Sequence, residues 1–308
     1  MRNILITGGA GFIGLNIAKS LNFNKNKIFL IDKNLPNDQL FKQFCKNKNV
    51  KLIKKDLSSN LKLFENIKFD LVFHLAASVG VKIIKDAPFS SFNNNILSTL
   101  NLVNALKKTN FKGRLIFFST SEVYQGQKIN LETHNFIINN KTSNRDSYYL
   151  SKLFCEKLII LSKIDYLILR PHNIYGPRMG NKHVIPNLCK KVKKKGKYLE
   201  VYSPKHKRCF CFINDAIDQI KFLSLKKRLK TRIYNIGNSS EEINMFNLAN
   251  KILKIYASKK KIKRLKSEEG SPHIRIPSIK NLKNNGWNKK FVSLKEGLKL
   301  TISYYENN

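Results

Sequence analysis

The sequence predicts an α/β protein in which a parallel β-sheet is covered by helices on both faces. Short runs of β-branched and aromatic residues recur through the first half of the chain and alternate with amphipathic segments. Each run is apolar at successive positions, which is typical of strands buried on both faces of a parallel sheet. The runs predicted as strands are NILIT (3–7), KIFLID (27–32), VKLI (50–53), DLVFHL (70–75), RLIFFS (114–119) and YLILR (166–170).

The regular alternation of apolar runs and amphipathic segments becomes looser after Pro171, which predicts two domains. The clearest amphipathic segments are 91–108, 148–162, 245–256 and 294–305. After Pro171 the runs shorten and contain proline and glycine. We therefore predict a first domain over 1–170, to which a later strand near 233–236 returns, and a smaller C-terminal lobe over 171–308. Folds of this kind bind ligands at the carboxyl edge of the sheet, so this lobe is expected to bind the substrate.

The composition of the chain is strongly basic. Its 308 residues include 58 Lys and Arg against 20 Asp and Glu, a formal net charge of +38. With 42% hydrophobic residues the chain is expected to fold. A charge of this size can indicate a nucleic-acid partner. Here the 48 lysines are scattered along the chain, and Asn and Ile are abundant, as an A+T-rich coding sequence would produce. We therefore attribute the charge to codon drift together with the binding of an anionic ligand. The densest runs, 190–195 and 259–266, keep nucleic-acid binding as the less favoured alternative.

Membrane, disulfide and metal sites are not predicted. The apolar runs are far shorter than the roughly 18–20 residues of a membrane-spanning helix. Five cysteines without framework spacing predict a reducing, cytoplasmic location. His206, Cys209 and Cys211 lack the second ligand pair that a zinc site needs, so no metal is expected.

A glycine-rich loop follows the first predicted strand and opens a helix near Phe12. Gly8 permits a tight turn, Gly11 lets backbone N–H groups approach a pyrophosphate, and Gly14 lets the helix lie close to the strand. The second strand ends at Asp32, 18 residues after Gly14. A carboxylate there can accept hydrogen bonds from the adenosine ribose and would repel a 2′-phosphate. The pattern therefore predicts a Rossmann-type doubly wound parallel sheet that binds NAD rather than NADP.

Tyr148 and Lys152 are four residues apart on a predicted helix, so both side chains project from one face. A fixed ammonium favours the phenolate of a nearby tyrosine, which can then act as a base. The Tyr-x-x-x-Lys spacing also occurs at Tyr124 and Tyr256, so in this lysine-rich chain the spacing alone says little. Tyr148 stands out because its helix follows a strand whose end carries Ser119, Thr120 and Ser121.

Several motifs together resemble one family along nearly the whole chain. The motifs are TGGAGFIG (7–14), HLAA (74–77), STSEVY (119–124), YYLSK (148–152), RPHNIYGPR (170–178), RCFCFINDA (208–216) and YNIGN (234–238). Taken with Asp32 and Asp56-Leu57, they resemble the extended short-chain dehydrogenase/reductases, the NAD-dependent nucleotide-sugar epimerases and dehydratases, of which UDP-glucose 4-epimerase is one.

The resemblance implies a set of cofactor and substrate contacts. The implied NAD contacts are Gly8, Gly11, Phe12, Ile13, Gly14, Asp32, Asp56, Leu57, Leu75, Ala76, Ala77, Tyr148 and Lys152. The implied catalytic groups are Thr120, which bonds the reacting sugar hydroxyl, Tyr148 as base, and Lys152, which lowers the pKa of the tyrosine. Asn173, Arg208 and Arg275 resemble the residues that bind the nucleotide diphosphate, for which arginine forks are suited.

The resemblance implies transient oxidation of a nucleotide sugar at its 4-position, followed by one of three outcomes. A 4-epimerase is favoured, since SVGVKII (78–84) and HVIP (183–186) look more like that branch. Decarboxylation of UDP-glucuronate and 4,6-dehydration remain open because Glu122 resembles the carboxylate that assists the later step in those enzymes. Ser121 stands where most dTDP-sugar dehydratases have Asp, which disfavours dehydration. A non-catalytic NAD-binding or RNA-binding protein is the remote alternative, opposed by the intact Thr120, Tyr148 and Lys152.

The sequence departs from the family pattern at two positions, and the resemblance also implies an oligomeric state. Gln125 interrupts the usual Val-Tyr-Gly string between Tyr124 and Gly126, and Asn214 replaces a usual Asp. The family commonly pairs subunits through the helices that correspond to 91–108 and 148–162, so a homodimer that acts in surface polysaccharide synthesis is expected.

Overall fold

The computed structural model describes residues 1–59, 61, 67–138, 143–181, 183–266 and 273–307. These residues form two compact units. Of the described residues, those in 1–123, 139–170 and 221–234 form the first unit, and those in 124–138, 171–220 and 235–308 form the second.

The strands and helices are numbered in chain order. The strands are β1 (Arg2–Thr7), β2 (Asn26–Asp32), β3 (Val50–Lys54), β4 (Leu71–His74), β5 (Arg114–Phe118), β6 (Ile129–Asn130), β7 (Tyr166–Pro171), β8 (Ile174–Tyr175), β9 (Tyr198–Tyr202), β10 (Lys207–Cys209), β11 (Cys211–Phe212), β12 (Ile233–Ile236), β13 (Glu242–Asn244), β14 (Lys261–Leu265) and β15 (Ile274–Pro277). The helices are α1 (Phe12–Ser20), α2 (Gln39–Cys45), α3 (Val81–Asp86), α4 (Pro88–Lys108), α5 (Asp146–Leu161), α6 (Val184–Lys193), α7 (Ile213–Leu225), α8 (Met245–Ile255), α9 (Lys280–Asn284) and α10 (Leu294–Asn307).

A seven-stranded sheet organises the first unit, with the strand order β12-β7-β5-β4-β1-β2-β3. The pairs of β1 with β2 and β4, of β2 with β3, of β4 with β5 and of β5 with β7 are parallel. Successive residues Ile4, Leu5 and Ile6 of β1 are all fully buried, as expected for a strand covered on both faces. The predicted parallel α/β fold is therefore confirmed. The chain moves outward from β1 in both directions, which creates a crevice at the carboxyl ends of β1 and β4.

Helices α4 and α5 pack against each other along their lengths. The predicted helix over 91–108 extends back to Pro88, because proline is tolerated in the first turn of a helix. The helix predicted over 148–162 begins two residues earlier, where the Oδ2 of Asp146 accepts the N–H of Ser143 at 2.7 Å. Tyr148 is therefore in the first turn of α5.

A buried ion pair joins α5 to β7. The Nε and Nη2 of Arg170 donate to the two carboxylate oxygens of Glu156 at 2.9 and 2.7 Å. The two side chains are only 1% and 2% exposed. A two-point contact of this kind fixes the orientation of both groups, so it holds the helix that carries Tyr148 against the sheet.

Smaller sheets organise the second unit. A four-stranded sheet has the order β13-β10-β15-β6, and two further pairs are β11 with β8 and β14 with β9. Strand β10 is antiparallel to β13 and parallel to β15, so this sheet is mixed. Across the described part of the chain, no helix is long and apolar enough to cross a membrane.

The two densest lysine runs meet in the second unit. Lys190–Lys193 end α6, and Lys261–Leu265 form β14, which pairs with β9. The Nζ of Lys260 donates to the carbonyl oxygens of Lys191 and Lys194. The last carbonyls of a helix carry partial negative charge and attract a nearby cation. Part of the lysine charge therefore stabilises the end of α6.

We expect Glu156→Ala to lower the free energy of unfolding by about 3–5 kcal/mol, because it leaves the Arg170 guanidinium buried without its counter-ion. Urea unfolding followed by circular dichroism measures this change. The control is Asp218→Ala, which breaks the exposed pair of Asp218 with Lys289 and should lower stability by no more than about 1 kcal/mol. Equal losses in the two variants would contradict the role given to the buried pair.

Candidate active site

The loop between β1 and α1 has glycine where a side chain would collide with backbone. Gly8 has a φ of +65°, and a Cβ there would lie 2.8 Å from the nitrogen of Ala76. A Cβ on Gly14 would overlap the carbonyl oxygen of Gly8. Only glycine allows the turn and the close start of α1 at Phe12. The first N–H groups of a helix attract phosphate, so this turn is suited to a pyrophosphate.

Asp32, the last residue of β2, reaches back to the same loop. Its Oδ2 accepts the N–H of Ala10 at 3.2 Å, and its Oδ1 accepts the N–H of Asn34 at 3.1 Å. Burial raises the pKa of Asp32, while the N–H groups of Asn34 and Ala10 oppose that rise. The carboxylate is therefore held in one orientation at the end of the strand where a ribose binds in folds of this type.

A cleft of about 260 Å³ lies at the carboxyl ends of β1, β2 and β4. It brings together most residues that the sequence assigns to the cofactor. Those that line it are Gly8, Gly11, Asp32, Asp56, Leu57, Leu75, Ala76 and Ala77. Phe12, Ile13 and Gly14 form the first turn of α1, whereas Tyr148 and Lys152 lie on α5. A turn suited to a pyrophosphate and a carboxylate suited to a ribose are both present, so these residues fit a dinucleotide.

A neutral histidine supports the wall of this cleft. Thr99 donates its only hydroxyl proton to the carbonyl oxygen of Asn95 at 2.9 Å, so the His74 Nε2, 3.0 Å away, must be the donor of that contact. The His74 Nδ1 then accepts from the Thr7 hydroxyl at 2.7 Å, and the Thr7 Oγ1 accepts the N–H of Ala76 at 3.3 Å. Burial lowers the pKa of His74 to about 3, and the nearby Lys152 adds to this shift. His74 is therefore uncharged at physiological pH.

Lys152 is fixed one helical turn after Tyr148. Its side chain is 3% exposed, and its Nζ donates to the Phe118 carbonyl oxygen at 2.7 Å. The same Nζ lies 4.8 Å from the centre of the Phe117 ring. Because Phe118 ends β5, the ammonium lies at the same edge of the sheet as the glycine loop. Tyr148 itself is partly exposed.

Burial lowers the pKa of Lys152 from 10.5 to about 8, and the fields of Cys155 and Glu156 oppose this shift. Lys152 is therefore still mostly protonated at neutral pH. A cation fixed near a phenol stabilises the phenolate, which is the form that can accept a proton. The arrangement of Tyr148 and Lys152 suits general base catalysis.

Thr120 and Glu122 lie in the turn that follows β5. Ser121–Val123 form a 3₁₀ turn that packs against α5. The Thr120 Oγ1 accepts the N–H of Glu122 at 3.2 Å. The Thr120 hydroxyl therefore keeps its proton for another acceptor. The Glu122 carboxylate binds Arg145 through the Nη2–Oε1 contact of 3.1 Å and the Nε–Oε2 contact of 3.4 Å.

The structure adds two residues that sequence reasoning missed. Asn95 on α4 accepts the N–H of Ser78 at 2.6 Å and donates to the Ser151 hydroxyl at 2.9 Å, and Ser151 donates to the Tyr148 carbonyl at 2.8 Å. Asn95 thus ties the cleft at the carboxyl ends of β1, β2 and β4 to the helix of the candidate base. Arg145, the second missed residue, immediately precedes α5. Asparagine is abundant in this chain, so no sequence signal distinguished Asn95.

The candidate substrate residues lie in the second unit. Asn173 and Arg208 line a cleft of about 400 Å³ there. The Asn173 Nδ2 donates to the Cys209 carbonyl at 3.1 Å, which fixes the amide. Arg208 and Arg275 are register neighbours on the parallel strands β10 and β15. The structure therefore places two arginines from distant parts of the chain side by side.

The insertion at Gln125 is accommodated by a local turn. The N–H of Gln127 bonds to the Tyr124 carbonyl at 3.1 Å, and Gly126 takes a φ of +77°. Tyr124 stays anchored because its hydroxyl donates to the Asn235 Oδ1 at 2.8 Å. The other departure, Asn214, is the second residue of α7.

Comparisons with known proteins place this geometry in a family. The model of the NAD dependent epimerase/dehydratase family matches residues 4–237. The chain is 30% identical to UDP-glucuronic acid decarboxylase 6 of Arabidopsis thaliana, over 96% of this chain and 87% of that protein. The match confirms the family resemblance and the predicted dependence on NAD.

Solved structures of two 4-epimerases have a similar fold. UDP-N-acetylglucosamine 4-epimerase from Methanobrevibacter ruminantium superimposes with a TM-score of 0.87 at 24% identity, covering 99% of this chain and 98% of that one. UDP-glucuronic acid 4-epimerase from Bacillus cereus, in complex with UDP-glucuronic acid and NAD, gives a TM-score of 0.85 at 25% identity, with 99% of both chains covered.

We expect Asp32→Asn to weaken NAD binding about tenfold, because a charge-assisted hydrogen bond to the ribose becomes a neutral one. NADP binding should not weaken, since the substitution removes the negative charge that repels a 2′-phosphate. Isothermal titration calorimetry with both dinucleotides measures the preference. Lys33→Gln serves as the neighbouring control and should still prefer NAD. If the wild-type protein bound NADP as tightly as NAD, the role assigned to Asp32 would be wrong.

Proposed function

This chain belongs to the NAD dependent epimerase/dehydratase family, and we propose that it oxidises the 4-position of UDP-glucuronate and then removes the carboxyl group as carbon dioxide. The observation that carries the proposal is the turn after β5, where a carboxylate, Glu122, stands two residues from Thr120 and is bound by Arg145. The 30% identity to a UDP-glucuronic acid decarboxylase supports the same reaction.

The cofactor cleft would hold NAD through its glycine turn and Asp32. Gly8, Gly11 and Gly14 would receive the pyrophosphate, and Asp32 the adenosine ribose. When bound there, NAD would supply the hydride acceptor for oxidation at the sugar 4-carbon and, once reduced, the hydride donor for the closing reduction. Ala76, fixed through Thr7 and His74, would form the wall beside the nicotinamide.

Tyr148 and Thr120 would act on the 4-hydroxyl of the sugar. Tyr148 would remove its proton, helped by the Lys152 ammonium, which stabilises the phenolate. Thr120 has its oxygen engaged by the Glu122 N–H, so its own proton is available to a sugar oxygen. These groups suffice for oxidation at the 4-position when NAD is bound.

The oxidised sugar carries a ketone β to its carboxylate, and such acids lose carbon dioxide readily. The bond between the 5-carbon and the carboxyl carbon breaks, and its electron pair moves into the 4-keto group to form an enolate. A proton must then return to the 5-carbon. We assign to the Glu122 carboxylate the orientation of the water that delivers this proton.

The nucleotide end would bind in the cleft of the second unit. Arg208 and its strand neighbour Arg275 would contact the diphosphate, because guanidinium forks match pairs of phosphate oxygens. Asn173, which lines the same cleft as Arg208, would fix the orientation of the nucleotide.

The second candidate is the 4-epimerase predicted from the sequence. It is supported by the similarity to a UDP-glucuronic acid 4-epimerase, which acts on the same proposed substrate. The two candidates differ only after the 4-keto sugar has formed. Dehydration is less favoured because Ser121, not a carboxylic acid, stands beside Thr120.

We expect the protein with NAD to convert UDP-glucuronate into a UDP-pentose with release of carbon dioxide, as followed by NMR and a carbon dioxide assay. Tyr148→Phe should lower kcat about 10²–10⁴-fold because it removes the base. Tyr256→Phe, which alters another tyrosine followed by lysine at the fourth position, should leave kcat unchanged. Formation of UDP-galacturonate without carbon dioxide would establish the 4-epimerase, and no turnover would refute the proposal.

We also propose a homodimer formed through α4 and α5. Phe89, Phe154 and Leu161 on these helices are 79%, 55% and 78% exposed. The Phe92 and Phe154 rings lie 6.1 Å apart, so part of this apolar surface is continuous. Burying it against a second copy would stabilise the pair by the hydrophobic effect.

We expect light scattering to give a dimer for the wild-type protein and a monomer for Phe154→Glu, since a charge at the centre of the interface opposes burial. Leu300→Glu, at an apolar position of α10 that is 48% exposed, is the control and should stay dimeric. A monomeric wild-type protein would exclude the assembly.

A further inference from the structure

A two-point ion pair joins the two segments that carry the candidate catalytic groups. Arg145 contacts both carboxylate oxygens of Glu122, at 3.1 and 3.4 Å. The side chains are 25% and 17% exposed, so the pair is largely shielded from water. A fork of this kind stabilises the ionised carboxylate and also fixes its orientation.

Each end of this ion pair is bonded locally to a candidate catalytic residue. On one side the Glu122 N–H binds the Thr120 Oγ1 at 3.2 Å. On the other side the Arg145 carbonyl accepts the N–H of Tyr148 at 3.2 Å. The ion pair therefore spans from the turn of Thr120 to the first turn of the helix of Tyr148.

We infer that Arg145 is a positioning residue that determines the fate of the 4-keto sugar by acting through Glu122. The inference rests on the proposed function. An ionised Glu122 with both oxygens engaged by Arg145 is suited to orient a water molecule and is not suited to donate a proton. It can therefore assist protonation of the 5-carbon but not the expulsion of a hydroxyl group, which needs an acid.

An ion pair of Arg114, at the opposite end of β5 from Glu122, provides a control. The Arg114 Nε donates to the Asp165 Oδ2 at 2.9 Å, and the Arg114 Nη1 donates to the Lys226 carbonyl at 2.7 Å. Arg114 begins β5, whereas Thr120 and Glu122 follow its carboxyl end. Arg114→Gln thus removes a comparable contact of the same strand far from the candidate catalytic groups.

The experiment compares Arg145→Gln, Arg145→Lys, Glu122→Gln, the double variant and Arg114→Gln, each with NAD and UDP-glucuronate. For Arg145→Gln we expect kcat to fall about 10- to 100-fold, because a small displacement of a catalytic group can cost that much. KM should change by less than about twofold, because substrate binding does not depend on the orientation of Glu122. More of the consumed substrate should leave as the UDP-4-keto-pentose, with one NADH formed from the added NAD for each molecule of keto product. The double variant should be no slower than Glu122→Gln alone, because residues acting as one unit are not additive.

The two remaining variants test whether the effect is specific. Arg145→Lys should recover part of kcat, because an ammonium keeps the charge but cannot form the fork. Arg114→Gln should lower the urea midpoint of unfolding without changing kcat or the fraction of keto product. Circular dichroism of every variant checks that it is folded.

Three results would overturn the inference while leaving the proposed function intact. Arg145→Gln could behave like Arg114→Gln, the two single changes could add in the double variant, or only KM could rise. The last result would mean that Arg145 binds the carboxylate of the substrate directly. A wild-type protein that does not decarboxylate UDP-glucuronate would instead refute the proposed function, and the inference with it.

Discussion

The ammonium group of Lys152 is buried where α5 crosses the carboxyl end of β5, and the candidate active site is built around it. Removing a charge from water is unfavourable, as the lowered pKa of Lys152 reflects. The Phe118 carbonyl and the face of the Phe117 ring compensate part of that loss. Both partners belong to β5, so these contacts tie the helix to the end of that strand. Tyr148, one turn earlier, is thereby placed at the sheet edge that also carries the glycine loop.

A chain of neutral hydrogen bonds begins at His74, next to this charge. His74 must stay uncharged next to Lys152, and its contacts with Thr7 and Thr99 are satisfied in one tautomer only. From Thr99 the chain continues through Asn95 to Ser78 and Ser151. Buried polar groups are stable when each is paired, so this network is expected to be rigid. Through this network, the wall of the candidate cofactor cleft is linked to the helix that carries the candidate base.

The sequence predicted the parts of the molecule that local pattern controls. Apolar runs and helical spacing predicted the parallel sheet. The predicted ends of β1 and β2 and the predicted start of α1 differ from the structure by at most one residue. Contacts between distant segments leave no such pattern. Nothing in the sequence indicated that Arg145 would meet Glu122 or that two lysine runs would converge on β14 and α6. Arg208 and Arg275 were expected in one site only through the family resemblance, and their pairing on neighbouring strands came from the structure.

The chemistry that distinguishes one member of such a family from another depends on far fewer residues than the fold does. In the proposed reaction, the sheet, the glycine loop and the pair of Tyr148 and Lys152 would serve oxidation at the 4-position, whichever step comes next. The turn of Ser119–Val123 is different, because in the proposed reaction it would supply the groups that act on the oxidised sugar. With Ser121 beside Thr120 and an arginine-bound carboxylate at Glu122, this turn offers an oriented anion and no neighbouring acid. An oriented anion favours reactions in which the keto sugar loses a neutral molecule of carbon dioxide over those in which a hydroxyl group must be protonated to leave.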